Sequence, residues 1–344
     1  MRRRDPAEFS GSGGRLCVVC GTLALAACGA RGELSLPEAV PRVAKDCPAP
    51  EAIVLAREDQ GFYNLALDET HVYWAADGAV RRVSKCGGTS ETLVDNVPTV
   101  FDLDVSQGFV YFSLQHLEGA IARASVDGSA TNTVFDAGGQ PEGVRAAGGV
   151  VYASVIDSPT SGSRLVMAPA GGGMAIRRSP SVGRYFAIDE SYAYAGGSGI
   201  VRLAHEGGAP EVLVLTASTL DLAVDATDLY WLDPSSRPDH SVVIRSAPKA
   251  RLSGDGFELA QTSSSALRIA VDPLPPEAGG RVYWVNQDEG TVQSVPKRGG
   301  PVLTISDDAP VAEAIASDET SVYWLSYRLR TLNRRDAPPR SVGR

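Results

Sequence analysis

No stretch of this chain carries a Gly-x-Ser-x-Gly nucleophile turn, a P-loop or a dinucleotide fingerprint. The motif-borne routes to serine hydrolysis and phosphate cradling are therefore missing. Histidine is scarce: His71, His116, His205 and His240 are the only four, and they are scattered. Beyond residue 27 there is no His-x-His, His-x-x-x-His or Cys-x-x-Cys pair, and "SVDGSATN" lacks the acidic density and final Glu of a calcium loop. No sequence-local metal site is encoded. Helical periodicity is absent too, since nothing after the N-terminal segment holds a 3.6-residue apolar period over about twelve residues. Basic charge is in deficit, with Lys+Arg 32 against Asp+Glu 41 and a net charge of −9, which suits a nucleic-acid backbone poorly. No catalytic set, metal, cofactor or nucleic-acid partner is expected.

What the chain does have begins at its N-terminus. Arg2, Arg3, Arg4 and Arg15 precede an apolar run from Leu16 to Ala27, whose length of about 12 residues matches a secretory core and is too short to span a bilayer. The run ends in "LAAC", which resembles the bacterial lipobox. That resemblance implies lipidation of Cys28 and a stable anchor through two or more acyl chains; an ordinary cleaved signal peptide is the alternative. Gly29 rather than Asp follows the Cys, which favours the outer membrane, facing the periplasm or the cell surface. Removal of residues 1–27 takes away four Arg and two acidic residues, leaving a net charge of −11. Cys47 and Cys86 then remain beside Cys28, and an oxidising compartment suggests that they pair; two free thiols are the alternative.

The dominant internal signal is a repeat. "LALDETHVYWAADGAVRRVSKCGGTSETLV" (65–94) returns as "FAIDESYAYAGGSGIVRLAHEGGAPEVLVL" (186–215) and, after an insertion, as 269–305. Shorter copies stand at 101–113, 143–154, 222–231 and 314–324. The shared Tyr falls at Tyr73, Tyr111, Tyr152, Tyr194, Tyr230, Tyr283 and Tyr323, at intervals of 38, 41, 42, 36, 53 and 40 residues. All four Trp (Trp74, Trp231, Trp284, Trp324) directly follow it. Each unit reads as four short β-segments: one closing in a turn, usually at Asp (Asp68, Asp104, Asp189, Asp225, Asp272, Asp318), an aromatic segment, an alternating segment, and a last one after a Gly-Gly turn.

Four-stranded units of about 40 residues indicate a β-propeller. The seventh unit lacks its fourth segment, while "APEAIVLA" (49–56) is a fourth segment with no unit before it. The expected fold is all-β: a seven-bladed propeller of four-stranded antiparallel blades over 47–334. An N-terminal strand closes it by pairing alongside 328–334 (1+3 closure). Residues 1–27 are expected as signal peptide, 28–46 as a tether and 335–344 as a disordered tail.

The "VYW", "YWAAD" and "G-x-V-x-R/S-V-x-K" elements resemble the YWTD-type, TolB-like and NHL-like propellers across 47–334. The fourth YWTD residue departs from the pattern, as in "YWAA", "YWLD", "YWVN" and "YWLS". Such propellers host receptors, scaffolds and enzymes alike, so the fold leaves function open.

In a propeller the second-to-third loops and the blade-to-blade connections share one face, around the channel. The long loops there offer Gln115, His116, Asp157, Arg164, Asp233, Arg237, Asp239 and His240. "NQDEG" and "SYRLR" add Gln287, Asp288, Glu289, Tyr327 and Arg328. Polar loops on a rigid ring suit binding, so an envelope-anchored module engaging a protein or glycan through this face is the leading expectation. An exported lyase or hydrolase is the alternative. A resemblance to streptogramin-type lyases would imply a catalytic His and a divalent cation, with His116 and His240 the placeable histidines. A structural spacer is a third possibility.

Overall fold

The computed structural model describes residues 47, 53–59, 61–116, 118–156, 163–182, 185–197, 199–214, 219–234, 240–250 and 254–339. Seven four-stranded antiparallel sheets form, each from consecutive strands except the last. The strand nearest the axis is the first of each blade: Phe62–Leu67, Val100–Ser106, Gln140–Ala147, Phe186–Ile188, Asp221–Val224, Ala266–Val271 and Ala312–Ser317. Each of these inner strands packs against the next, and the seventh against the first. The circle is thereby complete.

Blade 7 shows how closure works. Ala312–Ser317, Ser321–Ser326 and Thr331–Asp336 supply three strands, and Ile53–Arg57 supplies the fourth. The pairing is antiparallel, with Ile53 opposite Arg334, Val54 opposite Asn333, Ala56 opposite Leu332 and Arg57 opposite Thr331. Leu55 and Ala56 are buried in a cluster that also holds Trp74, Tyr323 and Leu332, so the borrowed strand is packed as well as paired. The third strand of blade 7 continues to Asp336, two residues past the expected boundary at 334. Cys47 and Cys86 are bonded, with their Cα atoms 5.0 Å apart, so this bridge links the closing segment to blade 1.

The repeated residues are explained by one construction. In blade 1, Asp68 Oδ1 accepts the main-chain N–H groups of Thr70 and His71, and Oδ2 accepts the Tyr73 hydroxyl at 2.6 Å. Blades 4, 5 and 7 repeat this with Asp189–Tyr194, Asp225–Tyr230 and Asp318–Tyr323. The carboxylate satisfies turn donors that the sheet leaves free, and the Tyr is thereby fixed inside its blade. All seven repeated Tyr and all four Trp are essentially buried. Each contributes about 4–6 kcal/mol of gross apolar burial, against which chain ordering must be set.

A lysine in the "K-x-G-G" position then joins neighbouring blades. Lys85 reaches Asp318 across the closure, Lys249 reaches Asp189 and Lys297 reaches Asp225, at 2.7–2.8 Å. Blade 4 carries His205 at this position, facing blade 3, whose own turn has Ala147 in place of the Asp. His205 instead contacts Tyr152 Oη and the Asp189 carbonyl.

Asp104 is a correction to the expected turn set. It pairs opposite Tyr111 inside the inner strand of blade 2, and Ser106 occupies the turn position. Blade 2 turns instead on Gln107 and Gly108, both at positive φ (49° and 79°), a two-residue connection that needs no capping carboxylate. Asp104 is thereby set two residues deeper, facing the axis.

Candidate channel site

Inner strands leave one edge of main-chain groups without a strand partner, and that edge faces the axis. Here it surrounds a channel of about 920 Å³ to which all seven inner strands contribute, with Gln287 and Tyr327 from the loops above. Opposite the repeated Tyr the inner strands carry Ala66, Ala187, Ala223, Ala270 and Ala316, but Asp104 in blade 2 and Arg145 in blade 3. The small residues keep the channel open, and the two exceptions give it charge.

Three carboxylates satisfy the free edges. Asp102 Oδ2 accepts the Val144 N–H and the Arg145 guanidinium, each at 2.8 Å, while Oδ1 accepts the Leu103 N–H and the Asn64 amide. Asp104 accepts from Ala146 and Val105 N–H, and Asp221 from Ile269 and Leu222 N–H. Each therefore ties its own blade to the next one. Burial holds the Asp104 and Asp221 carboxyls above the usual range, with Arg145 and Arg268 offsetting only part of that cost. Burial also disfavours the Arg145 cation, but Asp102, Asp104 and Asp221 outweigh it and strengthen its hold on the proton. Arg268 lies 4.2 Å over the Tyr185 ring and donates to the Leu267 carbonyl.

The mouth on the loop-rich face is aromatic and acidic. Tyr63 and Phe101 sit with ring centroids 5.7 Å apart, Tyr327 is half exposed, and Glu142 and Glu313 line the same opening. Tyr63 donates its hydroxyl to Asp77 at 2.5 Å, and that bond, with burial, pushes its pKa up to about 12.

Of the residues expected on this face, Gln287 and Tyr327 line the channel. Gln115 is spent on the neighbouring blade, donating to the Pro141 carbonyl. Arg164 caps the Ala137 and Gly138 carbonyls, and Asp233 pairs with Arg245 at 2.7 Å within blade 5. His116, His240, Asp288, Glu289 and Arg328 are exposed on the loops and do not line the channel. Cys28, Asp157, Arg237 and Asp239 lie outside the described residues. No histidine lines the channel, and among the described residues no group of three or more potential metal ligands comes together. The local motifs gave no hint of Asp102, Arg145, Asp221 or Arg268. In register, Arg145 replaces the Ala that five other inner strands carry, while Asp102, Asp221 and Arg268 share one position with Asn64, Gly143, Tyr185 and Ala314, a mixed column that carries no pattern.

No protein-family profile matches the chain, and no curated protein matches it. Solved structures do. A catalytically inactive virginiamycin B lyase from Staphylococcus aureus, with quinupristin, aligns with TM-score 0.61 at 12% identity, covering 83% of this chain and 97% of that one. The WD40 propeller domain of Doa1 aligns with TM-score 0.60 at 14% identity, covering 86% and 99%. YCF48 bound to D1 peptide aligns with TM-score 0.60 at 12% identity, covering 85% and 96%. At such identities the likeness is one of fold. The chain is a seven-bladed β-propeller whose structural neighbours include a lyase, a WD40 propeller domain and a protein bound to a peptide.

Proposed function

We propose that this chain is an exported, lipid-anchored propeller that binds a protein or glycan through the loop-rich face, at the channel mouth. In this reading residues 1–27 are removed, Cys28 carries the acyl chains, residues 28–46 are the tether, and the ring stands at the outer membrane, in the periplasm or at the cell surface. The observation that carries it is the mouth itself: exposed and half-buried aromatic rings beside carboxylates and an amide, held on a rigid circle. Such a surface offers contact area at low ordering cost. A bound peptide in the YCF48 structure and a WD40 domain among the neighbours fit this reading. The lyase reading would want a histidine at the channel, and His116 and His240 stand away from it.

Two measurements test the proposal. Residues 29–344, purified without lipid, are probed with glycan and peptide arrays alongside a Gln287→Ala/Tyr327→Ala variant. A ligand held by the parent and lost by the variant is expected; equal binding by both would remove the mouth from the account. For the anchor, Cys28→Ser should release the protein from the membrane fraction and abolish palmitate labelling. Retention with unchanged labelling would refute lipidation.

A further inference from the structure

A second cavity of about 240 Å³ lies beside the mouth, at the seam where blade 7 passes into blade 1. Tyr63 and Tyr327 line both this cleft and the channel. The cleft's remaining walls include Asp59, Gly61, Asp77 and Arg330. Its volume is that of about eight waters at ~30 Å³ each, on the scale of a single sugar ring.

The polar groups around the cleft are oriented by the fold. Asp77 accepts the Gly61 N–H at 3.3 Å and the Tyr63 hydroxyl, which fixes its carboxylate plane. Arg330 donates to the Asp59 carbonyl at 2.6 Å and holds a left-handed backbone, φ 52°, in the blade 7 loop. A non-glycine residue held there is a local cost that surrounding structure must sustain. At Gly61 a Cβ would stand 3.1 Å from Tyr63 Oη and 3.3 Å from Asp77 Oδ2, so a side chain there would crowd the cleft floor.

A planar carboxylate and a guanidinium fork pair with vicinal hydroxyls, and ring faces pack on the C–H faces of a sugar. An extended ligand crossing from cleft to channel would pass over Tyr63 and Tyr327. The channel behind them sets the charge: Asp102, Asp104, Glu142, Asp221 and Glu313 against Arg145 and Arg268, with both cations already engaged by the wall. Repulsion from that excess opposes an acidic polymer.

We propose that cleft and mouth form one continuous site for a neutral linear oligosaccharide, one ring held between Asp77 and Arg330 and the next stacked on Tyr327. This rests on the binding reading above and narrows its ligand class.

The test is calorimetric titration of residues 29–344 with cellohexaose, maltohexaose and N,N′-acetylated chitohexaose, with oligogalacturonate as the acidic counterpart. Neutral and lysine-rich hexapeptides form a separate arm. At least one neutral hexasaccharide should bind, oligogalacturonate at least about tenfold more weakly. Tyr327→Ala, at a half-exposed ring, should leave the melting temperature unchanged and weaken binding about tenfold or more, and Asp77→Asn should weaken it likewise. Absence of binding by every neutral sugar at millimolar concentration overturns the inference, as does binding indifferent to both substitutions or strongest for oligogalacturonate. A peptide that binds and is lost in Tyr327→Ala, with no sugar bound, overturns the sugar assignment while the binding role of the face stands.

Discussion

Replacing Lys297 by Met probes the joint between blades 5 and 6 at its most buried point. The Lys297 ammonium is fully buried and donates to Asp225 Oδ2 at 2.7 Å, to the Asp272 carbonyl at 2.7 Å and to the Leu274 carbonyl at 2.6 Å. All three of its protons are therefore placed. Met keeps the volume of the stem and removes the charge. Two carbonyls then lose this donor, and the buried carboxylates of Asp225 and Asp272, 6% and 2% exposed, lose the ammonium that stands 2.7 and 3.6 Å from them. One-sided loss of a buried pair costs about 3–5 kcal/mol. Asp225 keeps the Tyr230 hydroxyl and two turn N–H groups, which places the expected loss near the lower end, about 3 kcal/mol. At roughly 1.6 °C per kcal/mol for a ring of about 290 residues, the midpoint should fall by about 5 °C in calorimetry. Lys249→Met, at a partly exposed seam with two hydrogen bonds, should cost less. Arg298→Met, at an exposed pair, should leave the melt unchanged. A loss for Lys297→Met below about 1 kcal/mol, or no larger than that for Arg298→Met, would refute the view that this ion pair holds neighbouring blades together.

Three further outcomes are expected. Burial raises the Asp189, Asp225 and Asp318 carboxyls, but their lysines and turn N–H groups outweigh it and hold them below the usual range; their stabilisation is therefore present above the unfolded carboxylate pKa of about 4 and lost as pH falls through the folded values. Thermal melts should be flat near neutrality and drop below about pH 4, and Asp225→Asn should flatten that acid limb while lowering the neutral plateau. Opening the Cys47–Cys86 bridge, at a sequence separation of 39, should remove up to about 4 kcal/mol on the chain-entropy estimate, read as a lower urea midpoint for Cys86→Ser; an unchanged midpoint would show that strand pairing alone holds the closure. Leu55→Lys places an ammonium in the cluster around Trp74 and Tyr323 and should cost at least about 3 kcal/mol; a melt like the parent's would mean that the borrowed strand is dispensable.

Legibility in the sequence followed redundancy. Tyr73 and its six counterparts were readable because seven copies repeat the same buried task, and the stray "APEAIVLA" was readable because the seventh copy is visibly short of a strand. Asp104 was misplaced because blade 2 turns on Gln107–Gly108, a left-handed pair that shifts the neighbouring Asp by two positions while preserving the look of the motif. The channel charges were hidden for the opposite reason. Asp102 and Asp221 share one position in only two of the seven inner strands, Arg145 and Arg268 are each the one Arg at theirs, and the main-chain N–H groups that the two carboxylates accept from the next blade lie more than 40 residues away. His116 and His240 drew notice as rare residues on long loops, yet loop length does not direct a side chain towards the axis.

Pairing of Ile53–Arg57 with Thr331–Asp336 has a temporal corollary. During synthesis the amino-terminal strand is made first and its mate almost last, so it waits with an unsatisfied edge while six sectors assemble behind it. Until the final stretch is released the assembly is an open arc, and any companion that shields residues 53–57 in that interval would govern how many chains finish as monomeric rings rather than exchanging strands with a neighbour.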